Sequence, residues 1–233
     1  MTGRAIIVSH GQPSDPDPAE ATLAGFVGQV ARHLPGWHVG SATLAKPGAL
    51  EAARAAAGPC PLIYPMFMTA GWFTGDALLK RLDDPQARVL PPLGLDPGLP
   101  GMAARMLGNV IGREGWTTQD TRLFIAAHGS GRSRKSARDT QAFAAALAGL
   151  IPLAETRVGF VEEPPFLADM AFDLGPRAVC LPFFAARGGH VTGDLSEALD
   201  LADFQGVRLA PIGCAPGVPA LVARALDAAR VGA

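Results

Sequence analysis

Short apolar runs alternate along this chain with longer stretches in which apolar residues recur at helical spacing. The short runs predict β-strands at residues 123–127, 157–161, 178–181 and 207–210. Between them, the residues Phe143, Leu147, Leu150 and Ile151 fall at helical spacing, and residues 165–174 and 218–231 also predict helices. This alternation is typical of an α/β fold with a mainly parallel sheet.

The chain contains an internal repeat. The segment RAIIVSHG at 4–11 matches RLFIAAHG at 122–129, an offset of 118 residues. Three further pairs follow in the same order near the same offset: YPMF with LPFF, FTGD with VTGD, and VLPPLG with RLAPIG. Two copies of this length indicate duplicated domains, because each copy can bury its own core. The pattern breaks near 112–120, which predicts one domain over 1–115 and a second over 116–233.

Composition argues against several classes of partner. Lys and Arg total 20 against 21 Asp and Glu, so no global basic field attracts nucleic acid or anionic lipid. The apolar run at 5–8 is too short for a signal-peptide core, and no run approaches the length of a membrane span. Cys60, Cys180 and Cys214 show no disulfide or C-x-x-C pattern, which fits a reducing compartment. We expect a cytoplasmic globular protein without nucleic-acid or membrane partners.

Three polar residues follow successive strands of the second copy. His128 ends the first strand, Glu162 ends the second, and His190 follows the third. Ligands of an open parallel sheet bind at the carboxyl ends of its strands, so these side chains are expected at one edge. Two imidazoles and a carboxylate suit a divalent ion such as Co²⁺, Fe²⁺, Ni²⁺ or Zn²⁺. Each residue taken singly is more often structural or solvated, and it is their shared placement that favours a site.

These residues lie in motifs that resemble a known family. The motifs are HGS at 128–130, FVE at 160–162 before a proline, and LPFF at 181–184 leading to Gly189, His190 and Asp194. Together they resemble the CbiX-type sirohydrochlorin chelatases. The resemblance implies a flavodoxin-like, chelatase-like domain that occurs here twice with an interdomain cleft, as in the fused members of the family. Short members dimerise, so this chain is expected as a monomer or a homodimer.

The resemblance also implies an activity, namely ATP-independent insertion of Co²⁺ or Fe²⁺ into sirohydrochlorin during cobalamin or siroheme biosynthesis. Ni²⁺ is a further metal that the ligand types accept. In agreement, the chain has no G-x-x-x-x-G-K-[ST] phosphate loop. By resemblance, His128 and His190 are the metal-binding or proton-accepting histidines and Glu162 is the acidic ligand. Glu163 is a neighbour able to substitute for it.

The first copy departs from the family pattern. His10 is kept, whereas Thr43 is aligned with the carboxylate and Trp72 with the second histidine. One complete site per chain, in the second copy, is therefore expected. His10 and Trp72 are candidates for contact with the tetrapyrrole; for Trp72, packing on a flat macrocycle and ordinary core packing are both open.

A cluster of cations follows His128. Arg132, Arg134, Lys135 and Arg138 lie within eleven residues of it, and Arg187 lies shortly before His190. Sirohydrochlorin is a polycarboxylate, and arginine is well shaped to bind carboxylates. We predict that these sites bind the substrate, although a charged run of this kind is also typical of a solvated first helical turn. The predicted substrate-binding residues are Ser130, Arg132, Arg134, Arg187, His10 and Trp72.

Other functions remain to be weighed. The histidine-phosphatase motif requires Arg before the histidine, but Ser9 and Ala127 stand there, and G-x-S-x-G is absent, so a hydrolase is disfavoured. A non-catalytic metal or tetrapyrrole carrier with the same ligands is an open alternative. A chelatase for another tetrapyrrole, such as a porphyrin, is also open.

Overall fold

The computed structural model describes residues 3–71, 74–83 and 87–231. The strands are β1 Arg4–Ser9, β2 His38–Thr43, β3 Leu62–Pro65, β4 Arg88–Val89, β5 Arg122–Ala127, β6 Glu155–Phe160, β7 Ala178–Phe183 and β8 Val207–Arg208. The helices are α1 Pro16–Ala31, α2 Ala49–Ala57, α3 Asp76–Leu82, α4 Leu99–Glu114, α5 Lys135–Ala148, α6 Leu167–Ala171, α7 Gly189–Thr192, α8 Asp194–Leu201 and α9 Val218–Val231. Short 3₁₀ turns lie at Leu93–Leu95, Thr118–Asp120 and Ile212–Cys214.

Two four-stranded sheets form, and every strand pair in them is parallel. Their strand orders are β2-β1-β3-β4 and β6-β5-β7-β8, so the second sheet repeats the topology of the first. This agrees with the predicted α/β class and is consistent with the predicted repeat. In each sheet the first strand of the repeat, β1 or β5, is a central strand. The residue that follows it, His10 or His128, lies at the carboxyl edge of the sheet.

The central strands are buried because helices cover the sheets. In β5 only Arg122 is exposed, and all six residues of β7 are buried. Phe124 and Ala126 join a core with residues of α6 and α8, whereas the Phe183 ring packs on Phe143 of α5, with centroids 4.5 Å apart. Burial on both faces explains why these strands are continuous apolar runs rather than alternating ones.

The compact units do not follow the sequence repeat. One comprises residues within 1–96 and 216–233, and the other residues within 97–215. Helix α4 packs with α5 in the second unit, and α9 packs with α1 and β3 in the first. These units group α4 with the second sheet and α9 with the first, and the predicted division at 1–115 and 116–233 stays a prediction.

The predicted elements of the second copy are found, with shifted ends. The helix predicted at 165–174 spans only Leu167–Ala171, because the residues on either side of it, Phe166 and Phe172, have extended backbone angles. The strand predicted at 207–210 ends at Arg208, with Pro211 three residues on. No helix in the part of the chain described has the length and apolar character needed to cross a membrane.

Candidate metal site

Two histidines meet at the carboxyl edge of the second sheet. His128 directly follows β5, and His190 lies in α7 after β7, the neighbouring strand. Their Nε2 atoms are 3.1 Å apart, and the rings are nearly perpendicular, with centroids at 4.4 Å. The strand order thus brings together two of the residues that the sequence singled out.

The other ring nitrogens are already engaged. Nδ1 of His128 lies 3.0 Å from the Gly129 carbonyl oxygen, and Nδ1 of His190 lies 3.0 Å from a carboxylate oxygen of Asp194. Both partners are hydrogen-bond acceptors, so a hydrogen bond at these distances places a proton on each Nδ1, and a neutral ring in this tautomer carries its lone pair on Nε2. With both rings in this tautomer, the two Nε2 atoms at 3.1 Å offer lone pairs that a proton or a metal ion can share.

The separation suits a metal ion. With metal–nitrogen bonds of about 2.0–2.1 Å, the observed spacing corresponds to a nitrogen–metal–nitrogen angle of about 95–100°. That angle lies between octahedral and tetrahedral values, so several first-row divalent ions fit. Among residues 3–71, 74–83 and 87–231, no group of three or more His, Cys, Asp or Glu side chains is placed to hold a metal. The histidine pair offers two nitrogen donors to a metal ion.

The turn after His128 depends on a glycine. Gly129 has φ +72°, and a Cβ there would lie 2.9 Å from Cβ of Phe160 and 3.0 Å from Cγ of Glu163. Both conformation and space exclude a side chain at this position. The next residue is held as well, because the Ser130 N–H donates to Oε1 of Glu163 at 2.7 Å. These two contacts fix the backbone from which His128 projects.

Glu162 lies beside this turn without joining the histidine pair. Its backbone N–H donates to the His128 carbonyl at 3.0 Å, and its side chain is exposed. The structure does not bring its carboxylate into a three-residue metal-binding group. Its predicted role as acidic ligand stays a prediction. Glu163, named as its substitute, instead uses a carboxylate oxygen to hold Ser130.

The cationic side chains that were predicted to bind substrate lie in different parts of the structure. Arg134 precedes α5 and lines a groove of about 490 Å³, which we call the basic groove. Its lining residues are Arg134, Lys135, Ala137, Arg138, Gln141 and Glu163. Arg132 is exposed in the loop, and its N–H donates to Oγ of Ser130 at 3.3 Å. Because Glu163 also holds Ser130, the basic groove adjoins the His128 turn.

Arg187 lies near a cysteine rather than in the basic groove. Desolvation raises the pKa of the Cys214 thiol, while a hydrogen bond from the Arg187 backbone and the charge of Arg187 act in the opposite direction. Arg187 is exposed, three residues before His190. Its predicted contact with substrate stays a prediction.

The first repeat keeps one histidine in the same setting. Nδ1 of His10 lies 3.0 Å from the Gly11 carbonyl oxygen, and Gly11 has φ +77°, as in the His128–Gly129 turn. Thr43 was expected to be the counterpart of Glu162 in the first repeat, and this prediction is wrong. The N–H of Ala45 donates to the His10 carbonyl just as that of Glu162 donates to His128.

Thr43 instead ends β2, as Phe160 ends β6, because this pair of strands is offset by 117 residues rather than 118 or 119. Its N–H and hydroxyl both donate to Oε2 of Glu20, at 2.8 and 2.7 Å. Trp72, expected at the second histidine's position, lies outside the described residues. The substrate contacts predicted for His10 and Trp72 stay predictions.

Two carboxylates that organise the site were not singled out for these roles by the sequence. In the sequence, Asp194 is only the last residue of a motif, although its spacing of four residues from His190 is that of neighbours on one face of a helix. Glu163 is predicted from the sequence as a possible substitute for Glu162, but not as the acceptor that holds Ser130. No local pattern signals that it contacts a turn thirty-three residues earlier.

Comparison with known proteins identifies the class of this fold. A solved structure described as CbiX, the terminal enzyme for biosynthesis of siroheme in denitrifying bacteria, is 46% identical over 97% of this chain and 99% of its own, with a TM-score of 0.89. The fold is thus chelatase-like. The CbiX family model matches residues 122–229, which include both histidines. The chain belongs to the CbiX family.

More distant structures share the fold. SirB from Bacillus subtilis with Fe³⁺ is 17% identical over 99% of this chain and 95% of its own, with a TM-score of 0.73. The sirohydrochlorin chelatase SirB from Bacillus subtilis subspecies spizizenii in complex with cobalt is 15% identical over 97% and 94%, with a TM-score of 0.68. No curated protein sequence matches the chain.

Replacing Glu163 should loosen the His128 turn. In Glu163→Ala, the Ser130 N–H loses a charged acceptor, so its amide hydrogen exchange should be about 10- to 100-fold faster than in wild type. Glu163→Gln keeps an acceptor oxygen and should give a smaller increase. The control Glu155→Ala, at the opposite end of β6, should leave Ser130 unaffected. Unchanged exchange in Glu163→Ala would show that this bond does not hold the turn.

Proposed function

We propose that this chain inserts a divalent metal ion, Co²⁺ or Fe²⁺, into sirohydrochlorin without ATP. One observation carries the proposal: the Nε2 atoms of His128 and His190 face each other at 3.1 Å while both Nδ1 atoms are engaged. Family membership supports it, because the relative at 46% identity is described as the terminal enzyme of siroheme biosynthesis. We assign the incoming metal to this pair of histidines.

A site with two protein ligands suits a metal that must leave. The ion held by His128 and His190 keeps most of its coordination positions open, as in catalytic rather than structural metal sites. Pyrrole nitrogens of the macrocycle can occupy those positions and then replace the imidazoles. A closed site with four protein ligands would retain the ion instead. The metal is therefore a substrate in this proposal.

The proton balance of the reaction fits the same two residues. Insertion of one divalent ion displaces two pyrrole N–H protons, so charge is conserved without ATP or a redox partner. Once the metal has left, the Nε2 lone pairs are able to accept these protons, and imidazole is suited to proton transfer near neutral pH. Glu162, exposed and bonded through its backbone to His128, is the proposed relay to solvent.

The basic groove is the proposed binding site for substrate carboxylates. Three cationic side chains, Arg134, Lys135 and Arg138, line it within one helical turn at the start of α5. Arginine binds carboxylates through paired N–H donors. The groove also touches Glu163, which holds the turn next to His128, so a carboxylate bound there would lie on the side of α5 that adjoins the metal site.

Two features bear on the choice of metal and pathway. The 46% identical relative is described as acting in siroheme biosynthesis, and siroheme contains iron, which favours Fe²⁺. The SirB structures contain Fe³⁺ and cobalt, respectively, in the same fold. A geometry between octahedral and tetrahedral accommodates both, so a direct comparison of rates must rank them.

Loss of either histidine should abolish catalysis. The absorbance change of sirohydrochlorin with Fe²⁺, and separately Co²⁺, is followed anaerobically. We expect protein-dependent metallation in wild type and a fall of about 100-fold or more in His128→Ala and in His190→Ala, since each removes a metal ligand and a proton acceptor. His33→Ala, an exposed histidine at the end of α1, should keep the wild-type rate.

The same assay separates the enzyme from a carrier. A carrier would bind one equivalent of metal or tetrapyrrole and leave the rate unchanged at substoichiometric protein. Wild-type rates in both histidine variants would contradict the proposal. Acceleration with a porphyrin but not with sirohydrochlorin would assign the same chemistry to another tetrapyrrole.

The basic groove should act on substrate affinity. In Arg134→Ala and Arg138→Ala, we expect KM for sirohydrochlorin to rise about 2- to 5-fold with kcat nearly unchanged, the size expected for exposed ion pairs. The difference from wild type should shrink at high ionic strength. The control Arg224→Ala, an exposed arginine of α9, should leave KM unchanged. An unaltered KM in both groove variants would place the carboxylates elsewhere.

A further inference from the structure

His190 is backed by a carboxylate that follows it by one helical turn. Oδ2 of Asp194 lies 3.0 Å from Nδ1 of His190, on the side of the ring opposite to the Nε2 that faces His128. His128 has no such charge behind it, because its Nδ1 is bonded to the neutral carbonyl of Gly129. The two histidines therefore differ in the partner that holds them.

The backbone between His190 and Asp194 is built for this contact. Gly193 ends α7 and precedes α8, with φ −104° and ψ −91°, and its N–H donates to the Gly189 carbonyl at 2.7 Å. A Cβ on Gly193 would lie 3.0 Å from that carbonyl oxygen, so a side chain there would crowd the junction. Asp194 is the first residue of α8, where the positive end of the helix favours a carboxylate.

We propose that Asp194 is a positioning residue for the metal site. Asp194 accepts a hydrogen bond from the Nδ1–H of His190. This bond favours the tautomer with its lone pair on Nε2 and holds the ring in the orientation that directs Nε2 toward His128. A negative partner also increases electron donation from the imidazole to a bound metal ion. This role rests on the proposed function of the histidine pair as the metal site.

Exposure of the contact argues against a merely structural role. The side chains of His190 and Asp194 are 47% and 50% exposed. Exposed ion pairs contribute little to the free energy of unfolding, so stabilisation of the fold does not explain this pair. Orienting a ligand, by contrast, requires only that the hydrogen bond persists when the metal binds. Loss of Asp194 should therefore change metal affinity while leaving the fold intact.

The test is Co²⁺ binding to the full chain, followed by visible absorption without any tetrapyrrole. We expect Asp194→Ala to bind Co²⁺ about 10- to 100-fold more weakly than wild type, the usual effect of removing such a partner. Asp194→Asn keeps an acceptor oxygen but loses the charge, so its affinity should lie between the two. Glu197→Gln removes a charge from the same first turn of α8 and should bind like wild type.

Thermal unfolding of each variant checks that the fold is kept. Metallation assays on the same samples keep the two proposals distinct. Weaker Co²⁺ binding in Asp194→Ala supports the positioning role whether or not wild type accelerates metal insertion. Co²⁺ affinity in Asp194→Ala equal to that of wild type, or an equal loss in Glu197→Gln, would overturn the role and leave the chelatase proposal to be decided by the wild-type rate.

Discussion

The close approach of two imidazoles, with their Nε2 atoms 3.1 Å apart, is the interaction on which the proposed site depends. Because each Nδ1 donates to an acceptor, neither ring can turn its proton toward the other without losing a hydrogen bond. A divalent metal ion would satisfy both nitrogens at once. The proposed chemistry follows from this, since the same lone pairs that hold the incoming ion become proton acceptors when it moves into a macrocycle.

The fold supplies the histidines through strand order and close backbone contacts. Strands β5 and β7 are neighbours in a parallel sheet, so the residues after them emerge at one edge. Gly129 lets the chain turn tightly over Phe160, and Glu163 holds the next amide. The chain is 46% identical to a CbiX structure over nearly its whole length, and this edge carries the histidines to which the proposed function assigns the metal.

Much of this could be predicted from sequence, because parallel strands place their carboxyl ends together. His128 and His190 were found that way, and their contact is observed. The contact that the sequence does not reveal acts across distance, because Glu163 holds a turn thirty-three residues earlier in the chain. The counterpart of Glu162 was misassigned to Thr43 because β2 and β6 are offset by 117 residues rather than 119, and the strand register together with the bond from Ala45 to His10 identifies Ala45 as the true position.

The most direct test is nitrogen-15 NMR of histidine side chains during titration with Zn²⁺, a diamagnetic probe of the same site. At one equivalent, the Nε2 resonances of His128 and His190 should shift together, while Nδ1 of both rings stays protonated. Coordination through Nδ1, a shift confined to one of the two rings, or no shift in either would contradict the metal-binding pair on which the proposed function depends.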